Sequence, residues 1–174
     1  MSKGIPEHAD LMRAARQDSH FTGAIDIARM PRFSDYLASN EGQVEADIRL
    51  GTDEHNQAIL QGTANARVQV LCQRCMQPMW HNMTASFRLL LLDSEYQLEG
   101  LQDDVDALVL TEVPTSLYSI VEDELILGFS LVPMHDETLC EASAYMQDEQ
   151  QSRQQEQQTE KTNPFAVLKD LKID

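Results

Sequence analysis

Between Val44 and Leu91 the chain repeats with a period of two, and that pattern limits its fold more than any other feature. Val44, Ala46, Ile48 and Leu50 alternate with polar residues, the run "GTDEHN" interrupts, and Ala64, Ala66, Val68 and Val70 resume the alternation. Beyond Cys72 and Cys75 it returns at Met79, His81, Met83, Ala85, Phe87, Leu89 and Leu91, with Trp80 on the opposite side. Successive side chains of a strand point to opposite faces. A sustained period of two therefore predicts consecutive antiparallel strands with one buried face. Cys72-Gln73-Arg74-Cys75 falls where one long strand ends and the next begins, which predicts a hairpin tip.

The flanks read differently. Residues 7–17, "EHADLMRAARQ", predict a short amphipathic helix with Leu11, Ala14 and Ala15 on one side. Phe21, Gly23, Ile25 and Ile27 alternate and predict a strand. Pro31 suits a first helical position, with Phe33, Tyr36 and Leu37 at helical spacing after it. Residues 93–113 are acidic, with "ALVLTEV" as a short strand. Leu117, Ile120, Val121, Leu125 and Phe129 predict one long helix near residues 116–129, capped by Thr115 or Ser116 and stopped by Pro133. Residues 146–162 are rich in Gln and Glu and predict a flexible linker. Residues 163–174 predict a short docking helix, with Asn163 as cap, Pro164 in the first position, and Phe165, Leu168 and Leu171 as its apolar face. That face would enter a partner's groove or fold back on its own domain. The expected fold is α+β: an antiparallel meander or partly closed barrel over residues 1–145, with an N-terminal helical element, one long helix and a disordered C-terminal linker.

Charge narrows the function. The net charge is −16, and residues 93–160 hold one basic and 17 acidic side chains. Such a field repels phosphate and attracts a basic protein partner, although acids also serve simply as a solvated surface. The most apolar runs, "FRLLLL" and "LILGFSLV", fall short of the ~20 residues a membrane span needs. The opening residues lack the apolar stretch of a signal peptide. A soluble cytoplasmic protein without a membrane partner is expected. All seven glycines are isolated, so no phosphate loop is present, and neither G-x-S-x-G nor H-E-x-x-H occurs. Glu122, Asp123 and Glu124 are adjacent and would splay around a helix as a solvated face. No enzyme and no small-molecule substrate are expected.

Cys72 and Cys75 remain. A two-residue gap lets both sulfurs reach one tetrahedral Zn²⁺ from a tight turn, and "PMHDETLC" offers His135 and Cys140 to complete a Cys₃His set. His81, on the inward face of its strand, is a weaker alternate. The spacing alone leaves three readings open: a structural zinc site, a dithiol redox pair, and reduced core cysteines without metal. A thioredoxin-like pair would precede a helix, whereas strand pattern flanks this one on both sides. Arg67, Arg74 and Arg88 lie on or near the meander as candidate RNA or phosphate contacts, provided they are segregated in space from the acids.

"CQRCMQPM", "VEDELILGFSLVPMHDETLC" and "NPFAVLKDLK" together resemble the YceD family of large ribosomal RNA subunit accumulation proteins, with order and spacing similar from about residue 20 to the end. The resemblance implies a small bacterial cytosolic protein linked to the synthesis, processing or accumulation of large-subunit ribosomal RNA, and no known enzymatic activity. It also implies a cysteine-bearing loop after the helix, represented here by His135 and Cys140. The expected function is a non-enzymatic factor in ribosome assembly. It would act through ribosomal or ribosome-assembly proteins, with precursor large-subunit rRNA as a direct partner in the alternative reading.

Overall fold

A computed structural model of the protein describes residues 4–101 and 105–142. The predicted linker 146–162 and docking helix 163–174, with Asn163, Pro164, Phe165, Leu168 and Leu171, lie outside the described residues.

The alternating stretch forms three long strands: β3 (Gln43–Thr52), β4 (Ala58–Leu71) and β5 (Pro78–Leu92). With β2 (His20–Asp26) ahead of them and β6 (Ala107–Val109) after, they make one sheet in the order β2-β3-β4-β5-β6. The first three pairings are antiparallel, in a register that sets Val44 against Ala66 and Ala66 against Met83. The sheet is an open meander and does not close into a barrel. β6 runs parallel to β5, its Leu108 opposite Leu91. Three residues of strand carry no alternation from which that direction could be read.

Most apolar side chains of the long strands gather on one face, while Leu90 and Leu92, of the opposite parity, are buried as well and Leu71 and Trp80 stand exposed on the other side. Val44, Ile48, Leu60, Ala64, Val68 and Val70 are buried on the first face, each large one contributing about 1.5–3 kcal/mol by leaving water. A row of small residues, Gly23–Ala46–Ala64–Ala85, crosses four strands and lets the covering chain come close: Gly128 lies over Ala85 and Ile5 over Gly23. In the next row Gly62 leaves room for the Phe87 ring. A Cβ there would stand 2.6 Å from the Asp47 carbonyl oxygen and 2.8 Å from the ring.

Three helices pack on this face. α1 (Leu11–Arg16) is capped by Asp10, whose side chain accepts from the Arg13 N–H, and it buries Leu11, Ala14 and Ala15. It is shorter than the predicted 7–17, because His8–Ala9 (β1) instead pairs with Thr115–Ser116 (β7). α2 (Pro31–Ser34) is a single turn with Pro31 in its first position and Phe33 buried. α3 (Leu117–Leu127) is capped by the Ser116 hydroxyl and buries Leu117, Ile120, Val121 and Leu125. It ends at Leu127, short of the predicted 129, well before Pro133. Phe129 leaves the helix and packs against Phe33, Tyr36 and His81, with ring centroids 5.7–6.4 Å apart.

The expectation that Glu122, Asp123 and Glu124 form a solvated face is corrected at Glu122, which is buried. Its carboxylate accepts from the Phe33 N–H at 3.0 Å and from two guanidinium nitrogens of Arg32 at 3.0 and 3.2 Å. Arg32 also donates to Asp123 at 2.6 Å. The clamp joins α2 to α3 and satisfies an N-terminal backbone N–H that the single turn cannot satisfy itself. Among the described residues, only Glu124 of the three lacks such a partner.

Candidate metal centre

β4 and β5 outrun β3, so their hairpin projects and its tip carries Cys72-Gln73-Arg74-Cys75. Backbone bonds fold the tip tightly: the Cys72 N–H donates to the Gln77 carbonyl at 2.9 Å and the Met76 N–H to the Cys72 carbonyl at 2.8 Å. Met76 closes the turn at φ +59°, in the left-handed region that side chains seldom adopt. The loop after α3 is tied on by the Gln73 N–H, which donates to the Pro133 carbonyl at 2.8 Å. That bond delivers His135 and Cys140.

The ligand atoms of Cys72, Cys75, His135 and Cys140 all lie within 4.8 Å of one another. His135 Nδ1 is 3.4 Å from Cys75 Sγ, and the His135 N–H donates to Cys72 Sγ at 3.5 Å. Cys72 and Cys140 are buried, and none of the three cysteines is in a disulfide. His81, the weaker alternate, stays on its strand against Phe129 and is not in the cluster.

Electrostatics separates the sulfurs. Burial pushes the Cys72 thiol up, but the backbone N–H groups of Cys75, His135 and Arg74 and the Cys75 thiol all favour its thiolate, and the outcome is a pKa lowered to about 5. Cys75 is held above its ordinary range. The Gln77 N–H pulls it down, and burial together with the sulfurs of Cys72 and Cys140 outweighs that pull. Three sulfurs this close cannot all ionise unaided, because each thiolate disfavours the next. A divalent cation removes that conflict. The four donors are of the types and number zinc takes in closed structural sites. A tetrahedral site needs sulfurs about 3.8 Å apart, so an ion would draw these groups together by roughly an ångström. The residues fit the group.

Arg74 sits between the two cysteines. One guanidinium nitrogen reaches Met134 Sδ at 3.7 Å, and the other is buried with no hydrogen-bond partner among the described residues. Arg67 and Arg88 are elsewhere, on the face of the sheet that the helices leave open. Their side chains lie in strand rows six residues apart along β5. Arg67 stands over the Trp80 ring, 4.9 Å from its centroid.

Two features escape sequence reasoning. The Glu122–Arg32 clamp joins residues 90 positions apart, and nothing local marks it. The Arg67–Trp80 stack requires the register, because the two are diagonal neighbours: Arg67 pairs with Asn82 and Trp80 with Gln69. Among the described residues no helix is long and apolar enough to cross a membrane.

The family described as "Large ribosomal RNA subunit accumulation protein YceD" matches residues 60–172, a stretch that begins in β4 and contains all four cluster residues. The Large ribosomal RNA subunit accumulation protein YceD of Haemophilus influenzae is 27% identical over 169 residues, covering 97% of this chain and 96% of its own. No solved structure matches the chain. On the extent of these matches, the chain belongs to the YceD family.

Proposed function

We propose that the protein is a non-enzymatic factor that supports the accumulation of large-subunit ribosomal RNA, and that it acts by binding. The name carried by its family and by its Haemophilus influenzae relative supports the first part. The observation that carries the second is the Cys72–Cys75–His135–Cys140 cluster. Four protein donors close a tetrahedral site, and a closed site holds structure where a catalytic one keeps a position for substrate. Zinc bound there would pin the loop after α3 to the hairpin tip. Zn²⁺ with three thiolates and a neutral imidazole carries a net −1, and Arg74 supplies a neighbouring positive charge for it.

Around that tip, Met76, Leu131, Val132, Met134 and Leu139 are exposed. Exposed apolar side chains gathered at a rigid projection suit a protein contact. The acids of residues 93–160 suit a basic one, such as a ribosomal or ribosome-assembly protein. Phe165, Leu168 and Leu171 would add an anchor on a tether. Three reduced cysteines serving as ligands suit the cytoplasm.

The test is the ribosome profile of a bacterial strain lacking this chain, with precursor and mature large-subunit RNA quantified. A selective deficit of large subunits and their RNA is expected. A normal profile across growth conditions contradicts the reading.

A further inference from the structure

We infer that the open face of the β4–β5 hairpin is a platform for single-stranded RNA, with Trp80 as its stacking surface and Arg67 and Arg88 as its phosphate contacts. The inference rests on the proposed role in ribosomal RNA accumulation and names the partner that one face of the molecule would take.

Charge distribution comes first. The chain has 29 acidic residues, yet residues 55–92 contain none. That stretch is β4, the tip and β5, and it holds Arg67, Arg74, Arg88 and the one tryptophan. The acids of the sheet's open face, Asp26, Glu45 and Asp47, belong to β2 and β3. The acidic helix α3 packs into the core on the opposite face. Across β4 and β5 the open face therefore carries arginines and no acid, while Glu45 and Asp47 of the neighbouring strand line the same clefts as Arg67 and Arg88.

The arginines differ in the same way. Arg29, Arg32 and Arg49 are each held by a carboxylate. Arg67 and Arg88 have no ion pair among the described residues. They lie about 20 Å apart along β5 at ~3.3 Å per residue, a spacing that follows a backbone and exceeds a single phosphate.

Trp80 supplies the third observation. Trp80 is 55% exposed, on the sheet face opposite α1, α2 and α3. Arg67 occupies one side of the ring, which fixes its orientation and leaves the other side for a base. Between the two arginines stand Asn65, Asn82 and Thr84, all exposed, with the Thr84 hydroxyl donating to Asn65 Oδ1 at 2.8 Å. Flat polar strands with an aromatic ring and unpaired arginines suit unstacked bases. A protein partner would favour a desolvated apolar centre; beside Trp80 the platform face offers only Leu71 as an exposed large aliphatic side chain.

The experiment is anisotropy of a labelled single-stranded RNA of about 12 nucleotides, titrated with the full chain over a salt series, beside a duplex of the same sequence. Binding to the single strand that weakens with salt is expected. Trp80→Ala should weaken it about tenfold or more, the scale of one lost stacking contact. Arg67→Gln and Arg88→Gln should each lower the salt slope by about 0.7. All three side chains face solvent, so parent-like melting is expected of each variant. No binding at about 50 mM salt, equal binding by parent and variants, or duplex bound as tightly as single strand overturns the inference. Should one of those binding results come with a deficit of large subunits in the strain lacking the chain, the role in RNA accumulation stands while the platform falls. A Trp80→Ala chain that then leaves precursor particles would mark the face as a protein contact.

Discussion

Two polar junctions fasten the segments on either side of α3, and they are built on opposite principles. At Glu122 a buried carboxylate meets the Phe33 N–H and the Arg32 guanidinium, so charge and hydrogen bonds close within the protein. At the hairpin tip three sulfurs and an imidazole converge within 4.8 Å, and the sulfurs hinder one another's ionisation. The first junction is complete as it stands. In the second, the donors face one another, and the set is compatible with a bound cation. A buried polar cluster thus identifies a ligand site by imbalance, and burial alone does not.

The contrast breaks most sharply if the tip proves indifferent to metal. Stripping zinc with a chelator, or replacing Cys140 with Ser, is expected to lower the melting temperature by about 10 °C, since each kcal/mol lost costs about 2–4 °C in a chain of this size. Hydrogen exchange should localise the loss to the tip and to residues 130–142. Unchanged melting in both cases would place the cysteines among ordinary core thiols.

A smaller effect is expected at the self-sufficient junction. Glu122→Ala leaves the Phe33 N–H without its acceptor and Arg32 without one of its two carboxylates. The cost should be about 2–3 kcal/mol, moderated because Arg32 is half exposed and rehydrates. Calorimetry with and without chelator separates the junctions: the Glu122→Ala loss should be the same in both conditions. A loss that disappears in chelator would mean that the two are one cooperative unit.

The third member of the Glu122-Asp123-Glu124 run gives the smallest effect. Burial, with Asp106 and Asp123 nearby, raises the Glu124 carboxyl. A carboxyl raised on folding is most favourable while protonated, so its contribution is present below the ordinary carboxylate range and is lost as pH rises through the raised value. Glu124→Gln should therefore stabilise the protein at neutral pH and have no effect in acid. The gain should stay under about 0.5 kcal/mol, because the group is partly solvated. A neutral-pH loss would mean that Glu124 has a cationic partner.

The same contrast explains what could be read in advance. Period-two alternation located β3, β4 and β5, because each buries one face and the pattern is local. The closeness of Cys72, Cys75, His135 and Cys140 was legible for a related reason: Cys and His are scarce residue types, and two short spacings bring them into view. Glu122 was not legible. Its neighbours in sequence are acids, its partner Arg32 lies 90 residues upstream, and a carboxylate looks the same on paper whether solvated or clamped. The end of α3 was misplaced because Phe129 falls at helical spacing yet belongs to an aromatic cluster assembled from Phe33, Tyr36 and His81. The direction of β6 was invisible, since pairing direction leaves no trace in three residues. The Arg67–Trp80 stack depended on a diagonal register that alternation alone does not set.

The most direct measurement is the metal content of the purified chain, paired with its melting curve before and after chelation. One zinc per chain in the parent, none in Cys140→Ser, and a melting temperature that chelator lowers only in the parent are expected. A parent protein that carries no metal when grown with ample zinc, and that melts identically with chelator, would contradict the metal-clamped tip.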